Sequence, residues 1–166
     1  MFARTIAIAA LLATPALAQD NKTLEGAGGA EMGQVVLASA PDTLVEFFKS
    51  AGYPVRLTED TVGDPLIEYR VNGDKMSLFF YDCEDNVDCQ ALQFYAGYTD
   101  SGASLETINS WNTDRRFVRS YLTEDNVARI EMDVATSVDG VSFGDFEAIL
   151  GLWLESVDRF EEHIGW

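Results

Sequence analysis

Between Tyr81 and Cys89 the chain places Asp82, Glu84, Asp85 and Asp88, together with Asn86, a density of oxygen donors that suits a hard cation such as calcium. Asp82, Glu84, Asn86 and Asp88 alternate as ligands do at the start of an EF-hand loop. Counted from Asp82, however, the sixth position is Val87 and the twelfth is Gln93, where such a loop needs Gly and a bidentate Glu. A solvated, acidic hairpin tip is the simpler expectation. A small hydrolase or calcium-binding protein using this hairpin is the alternative.

Cys83 and Cys89 bracket that segment and are the only two cysteines. Five residues between them are too many for a C-x-x-C redox pair, and the single histidine, His163, is remote in sequence, so a zinc site lacks ligands. One structural disulfide is expected, provided that the chain meets an oxidising compartment. So small a ring stabilises by about 2 kcal/mol in the loop-entropy picture.

A second segment, Asn109 to Arg116, combines an aromatic ring with cations. Trp111, Asn112, Arg115, Arg116 and Arg119 form the candidate partner contact, since three of the few basic residues gather there and could receive an anionic group. Ion pairing to acids within the chain competes with that use. Asn112 reads as the C-cap of a short helix. No catalytic set is found: there is no G-x-S-x-G elbow, S-x-x-K or H-E-x-x-H, and His163 in a last helical turn suits the helix dipole. Glycines 26 to 33 lack the Lys-Ser/Thr of a phosphate loop, and no metal or cofactor motif is present.

The N-terminus tells where these groups would work. Arg4 precedes an apolar stretch from Thr5 to Thr14, and Ala16, Leu17 and Ala18 form an A-x-A cleavage site, which places the mature N-terminus at Gln19. About ten apolar residues are half of what a bilayer-spanning helix needs. The expectation is export to the periplasm or beyond without membrane insertion. Across 166 residues there are 28 acids and 11 bases, a formal charge of −17, and removing residues 1–18 takes away one Arg and no acid, giving −18. Such a polyanion is repelled by nucleic acid and by anionic lipid. At 47% hydrophobic residues it still has enough apolar side chains for one packed domain.

The elements that must position these groups can be read from periodicity. Residues 19–40, rich in Gly and small residues, are expected to be a flexible lead-in, with a short edge strand over Val35 to Leu37. Pro41 opens a helix that ends at Gly52. Strands follow at 53–58 and 66–71, then Asn72-Gly73 marks a hairpin into 76–81. That last run is apolar on nearly both faces, which predicts a central strand covered on both sides. Strand 91–98, a helix capped by Ser104, and strands 117–122 and 128–134 complete the sheet, with Arg129, Glu131 and Asp133 alternating outward. Ser142 and Asp145 signal a capping box for a last helix carrying Phe143, Phe146, Leu150, Trp153, Val157, Phe160 and Ile164. The fold class is therefore α+β, an antiparallel sheet flanked by helices in the order α-β-β-β-β-α-β-β-α.

Several segments together resemble the YbjN-like family, labelled bacterial sensory transduction regulators. They are Ala51-Gly52-Tyr53, Gly63-Asp64-Pro65-Leu66-Ile67, Phe80-Tyr81-Asp82-Cys83 with Cys89, Leu92-Gln93-Phe94, Ile108-Asn109-Ser110-Trp111-Asn112, Arg116-Phe117 and Glu131-Met132-Asp133. The resemblance runs over nearly the whole mature chain and is greatest to the exported members, which carry a signal peptide and a cysteine pair. It implies a fold similar to type III secretion chaperones and supplies no catalytic residue or cofactor. Residues 1–18 are thus expected to be a signal peptide, 19–40 a flexible segment and 41–166 a YbjN-like domain. The expected role is non-enzymatic, the binding or regulation of another polypeptide of unknown identity, with homodimerisation left open.

Overall fold

The computed structural model describes residues 34–136 and 139–166. The expected signal sequence with its expected Ala18–Gln19 cleavage site, and the expected lead-in as far as residue 33, lie outside them. Eleven elements follow in the order β1 (Val35–Val36), α1 (Pro41–Ser50), β2 (Val55–Glu59), β3 (Pro65–Val71), β4 (Asp74–Tyr81), β5 (Ala91–Tyr98), α2 (Leu105–Asp114), β6 (Arg119–Leu122), β7 (Ala128–Ala135), β8 (Val141–Ser142) and α3 (Phe143–Ile164). Strands β2 to β7 form one antiparallel sheet ordered β2-β3-β4-β5-β7-β6, and β1 pairs separately with β8. The α+β class and the expected order hold, with β1 and β8 as a small addition.

Local chemistry accounts for the elements. Pro41 opens α1 at its first turn, Asp42 and Lys49 suit the two ends of its dipole, and Gly52 follows at φ +82°. Asn72 and Gly73 both adopt positive φ, 52° and 102°, the conformation that a two-residue hairpin turn requires. Ser104 and Ser142 accept backbone N–H groups of Thr107 and Asp145 and so start α2 and α3. All seven apolar residues of the α3 stripe are buried. Phe94 of β5 stacks on Phe146 and Trp153 of α3 at 5.7 and 5.6 Å between ring centroids, and Phe48 of α1 stacks on Tyr69 of β3 at 4.6 Å.

Two expectations need correction. Residues 34–40 are part of the packed unit: Val36 and Ala38 are fully buried, the Ala38 N–H donates to Thr136 Oγ1 at 3.0 Å, and β1 is held by β8. A small residue on the facing turn permits the close packing. The turn at Gly140 shows why: a Cβ there would stand 2.8 Å from the Val36 carbonyl oxygen. The second correction concerns β4, which is central but, among the described residues, covered on one side only. Met76, Leu78 and Phe80 face the helices and are buried, whereas Phe79 is half-buried and Tyr81 is 45% exposed on the opposite face.

Candidate functional site

Alternation along each strand gives the sheet one face against the helices and one face that no helix among the described residues covers, and the register aligns the residues of this uncovered face into rows. One row crosses all six strands as Arg56, Glu68, Ser77, Tyr95, Glu131 and Arg119. Beside it run Leu66, Phe79, Gln93 and Asp133. On the other side Arg70 pairs with Lys75, and Gly97 with Arg129, which pairs in turn with Tyr121. Five bases, Arg56, Arg70, Lys75, Arg119 and Arg129, meet three acids, Glu68, Glu131 and Asp133, so this face is net cationic in a chain of charge −17.

These groups form one continuous polar and aromatic layer. Glu68 receives both Arg56, with Nε at 3.0 Å, and Lys75, and the two cations hold its carboxyl below the ordinary carboxylate range. Arg119 reaches Glu131 at 2.7 Å and Asp133 at 3.2 Å. Glu131 is buried and also accepts the Tyr121 hydroxyl at 2.7 Å, so its second oxygen is satisfied. Gln93 donates to Asp133 at 2.7 Å and accepts from the Tyr81 hydroxyl at 3.3 Å. Burial pushes the Tyr81 and Tyr121 phenols upward, and the Glu131 charge adds to it. Phe79 meets Tyr95 edge-to-face at 5.5 Å. The Arg129 guanidinium lies 5.5 Å from the Tyr95 ring and 5.8 Å from the Tyr121 ring, and takes no carboxylate partner among the described residues.

The sequence-derived contact residues separate. Trp111 is buried against Phe160, with centroids 5.1 Å apart, and Arg115 lies over its ring at 5.3 Å. Asn112 is not a C-cap: α2 continues to Asp114 and Arg115 caps it, while the Asn112 side chain turns to Ser120 and bonds its N–H and its carbonyl, each at 2.9 Å. Arg119 belongs to the sheet face. Arg116 is exposed beside Phe117, which is 71% exposed at φ +69°, a conformation uncommon for a side chain of that size. The strand expected over 117–122 begins only at Arg119, which leaves Phe117 before it. His163 ends α3 as expected, but its Nε2 lies 2.9 Å from the Thr107 carbonyl and ties α3 to α2.

Cys83 and Cys89 form the expected disulfide across the β4–β5 connection. Within it Glu84 and Val87 exchange backbone hydrogen bonds around Asp85 and Asn86, both at positive φ. Asn86 donates to Asp64 Oδ1 at 2.8 Å and to the Val62 carbonyl at 3.2 Å, joining this loop to the β2–β3 turn. Asp82, Glu84 and Asp88 do not converge: among the described residues no three acidic, His or Cys side chains group as metal ligands would.

A family model matches residues 40–166, from the residue before α1 to the C-terminus, and the family is described as a putative bacterial sensory transduction regulator. The chain belongs to the YbjN family. No curated protein matches the chain. The YbjN match covers all six strands of the main sheet and all three helices. Among the described residues of this YbjN chain, no helix is long and apolar enough to cross a membrane.

Proposed function

We propose that this YbjN protein is an exported, non-enzymatic regulator that acts by binding another polypeptide on the uncovered face of its sheet. The observation that carries the reading is the composition of that face. It gathers Phe79, Tyr81, Tyr95 and Tyr121 with five cations on one side of a strongly acidic molecule. Tyr and Arg are the residue types enriched where protein surfaces meet, because each offers a broad rigid contact with a polar end. Arg129, stacked on two rings and free of a carboxylate, is ready to receive one. The leader-like residues 1–18 and the Cys83–Cys89 disulfide support export to an oxidising compartment.

The test is crosslinking capture in the exporting host with the wild-type chain and with Arg129→Glu and Tyr95→Ala. The same specific polypeptide recovered with wild type and reduced ~tenfold by either substitution, a difference of about 1.4 kcal/mol in binding, is the expected result. Equal recovery by all three chains overturns the reading.

A further inference from the structure

We propose that an extended polypeptide segment carrying acidic residues at alternate positions adds to the sheet as a further strand along β2. The inference rests on the partner-binding reading for the class of partner, and on the backbone of β2 for the place.

Strand β2 is one edge of the sheet, and its hydrogen bonding is half used. The Arg70 N–H donates to the Pro54 carbonyl at 3.1 Å and the Asp60 N–H to the Asp64 carbonyl at 2.8 Å. These two bonds fix the phase of the antiparallel ladder, so residues 54, 56, 58 and 60 face β3. Val55, Leu57 and Glu59 therefore point their N–H and carbonyl groups away from the sheet, and among the described residues none of these groups takes a partner. The strand has no proline and no bulge, and Leu57 at its centre is 40% exposed. An edge of this kind is a template for pairing unless something blocks it.

The opposite edge is blocked. At β6 the Asn112 amide occupies both outward groups of Ser120, as a neighbouring strand would. Among the described residues nothing comparable lies along β2.

The grooves on either side of β2 select the occupant. One, of about 370 Å³, is lined by Arg56, Arg70 and Lys75, with Glu68 as its only acid. The other, of about 390 Å³, is lined by Pro41, Leu57 and Pro65 together with Thr58, Glu59 and Asn86. An added strand sends alternate side chains to opposite faces of the sheet, so one set meets three cations and the other meets Leu57 and two prolines beside Glu59, where a further acid would be repelled. Acidic residues alternating with apolar ones fit both. At about 8–10 Å of screening length these local cations, rather than the net charge of the chain, dominate the contact. A second copy fits less well. Antiparallel pairing of β2 with itself about Leu57 sets Arg56 diagonal to its own symmetry mate, and each copy brings a charge of −17.

The experiment uses the full chain and two short labelled peptides, one alternating Glu with Val and one alternating Lys with Val, followed by fluorescence anisotropy. The acidic peptide should bind and the basic one should not. Leu57→Pro removes an outward N–H that β3 does not use, so the fold should tolerate it while binding weakens ~tenfold or more. Arg70→Glu, at a side chain remote from the edge backbone, should weaken the acidic peptide as strongly and guards against a Leu57→Pro chain that fails to fold. Equal binding of both peptides, or acidic binding unchanged in the folded variants, overturns the inference. Light scattering that shows a dimer dispersed by Leu57→Pro overturns it in favour of a second copy. Peptide binding lost at Leu57→Pro but kept at Arg129→Glu places the partner on the edge even if the face reading fails. Absence of peptide binding, with capture still sensitive to Arg129→Glu, removes the edge and leaves the face.

Discussion

The side-chain amide of Asn112 hydrogen-bonds the backbone N–H and the backbone carbonyl of Ser120, each at 2.9 Å, so that one residue of α2 completes the outer edge of β6. Removing it leaves two backbone groups without their partner. Asn112→Ala should cost about 1–3 kcal/mol, read as a lowered denaturation midpoint. Asn112→Asp should cost at least as much at neutral pH, because a carboxylate accepts from the N–H but repels the carbonyl. Stability equal to wild type in both variants would show that the contact contributes nothing.

Protein recovered from an oxidising compartment should contain no free thiol by mass spectrometry after alkylation. Reduction, or the pair Cys83→Ser with Cys89→Ser, should lower stability by about 2 kcal/mol while the sheet persists, because the ring is short and lies at one end of β4 and β5.

Two glycines should respond oppositely to alanine. Gly140 has φ +76° and its added Cβ would press on the Val36 carbonyl at 2.8 Å, so Gly140→Ala should destabilise by about 1–3 kcal/mol. Gly151 lies inside α3 with open space around it, and Gly151→Ala should stabilise by about 0.5–1 kcal/mol. Thermal unfolding of the two variants beside wild type gives both signs directly.

Stability should fall at both ends of the pH scale for identifiable reasons. Glu68 has its folded pKa lowered by Lys75 and Arg56, so its contribution is present above its unfolded pKa and lost as pH falls through the folded value. Melting curves of Glu68→Gln and wild type should therefore converge in acid and separate toward neutrality, by less at high salt. Tyr69, raised by burial, and Tyr98, raised by burial and by Glu161, contribute below about pH 10 and lose that contribution as pH rises further. Ultraviolet titration should show both phenols ionising only with alkaline unfolding.

Some of this architecture is legible in the chain itself because the cause is local. Asn72-Gly73 specifies its turn through backbone freedom, and the Phe143-to-Ile164 spacing specifies a helix with one buried side. The role of Asn112 is not legible, since a polar residue within a helix carries no sign that it serves a strand eight positions later. Phe79 and Tyr81 misled for a related reason: their apolar character predicts a covering layer, whereas Tyr95 and Gln93 of the neighbouring strand β5 sustain them without one. The alternation of Arg129, Glu131 and Asp133 was readable. Their alignment with Arg56, Lys75 and Arg119 depends on register between strands distant in sequence.

The layering of charge has a further consequence for how the molecule meets others. The uncovered sheet face carries two more bases than acids, while α3, on the far layer, carries six acids against Arg159. The protein is thus an electric dipole whose axis runs through the thickness of the sheet. An anionic molecule, repelled by the chain as a whole, should be repelled least on the sheet side, so that any close approach is oriented toward that face.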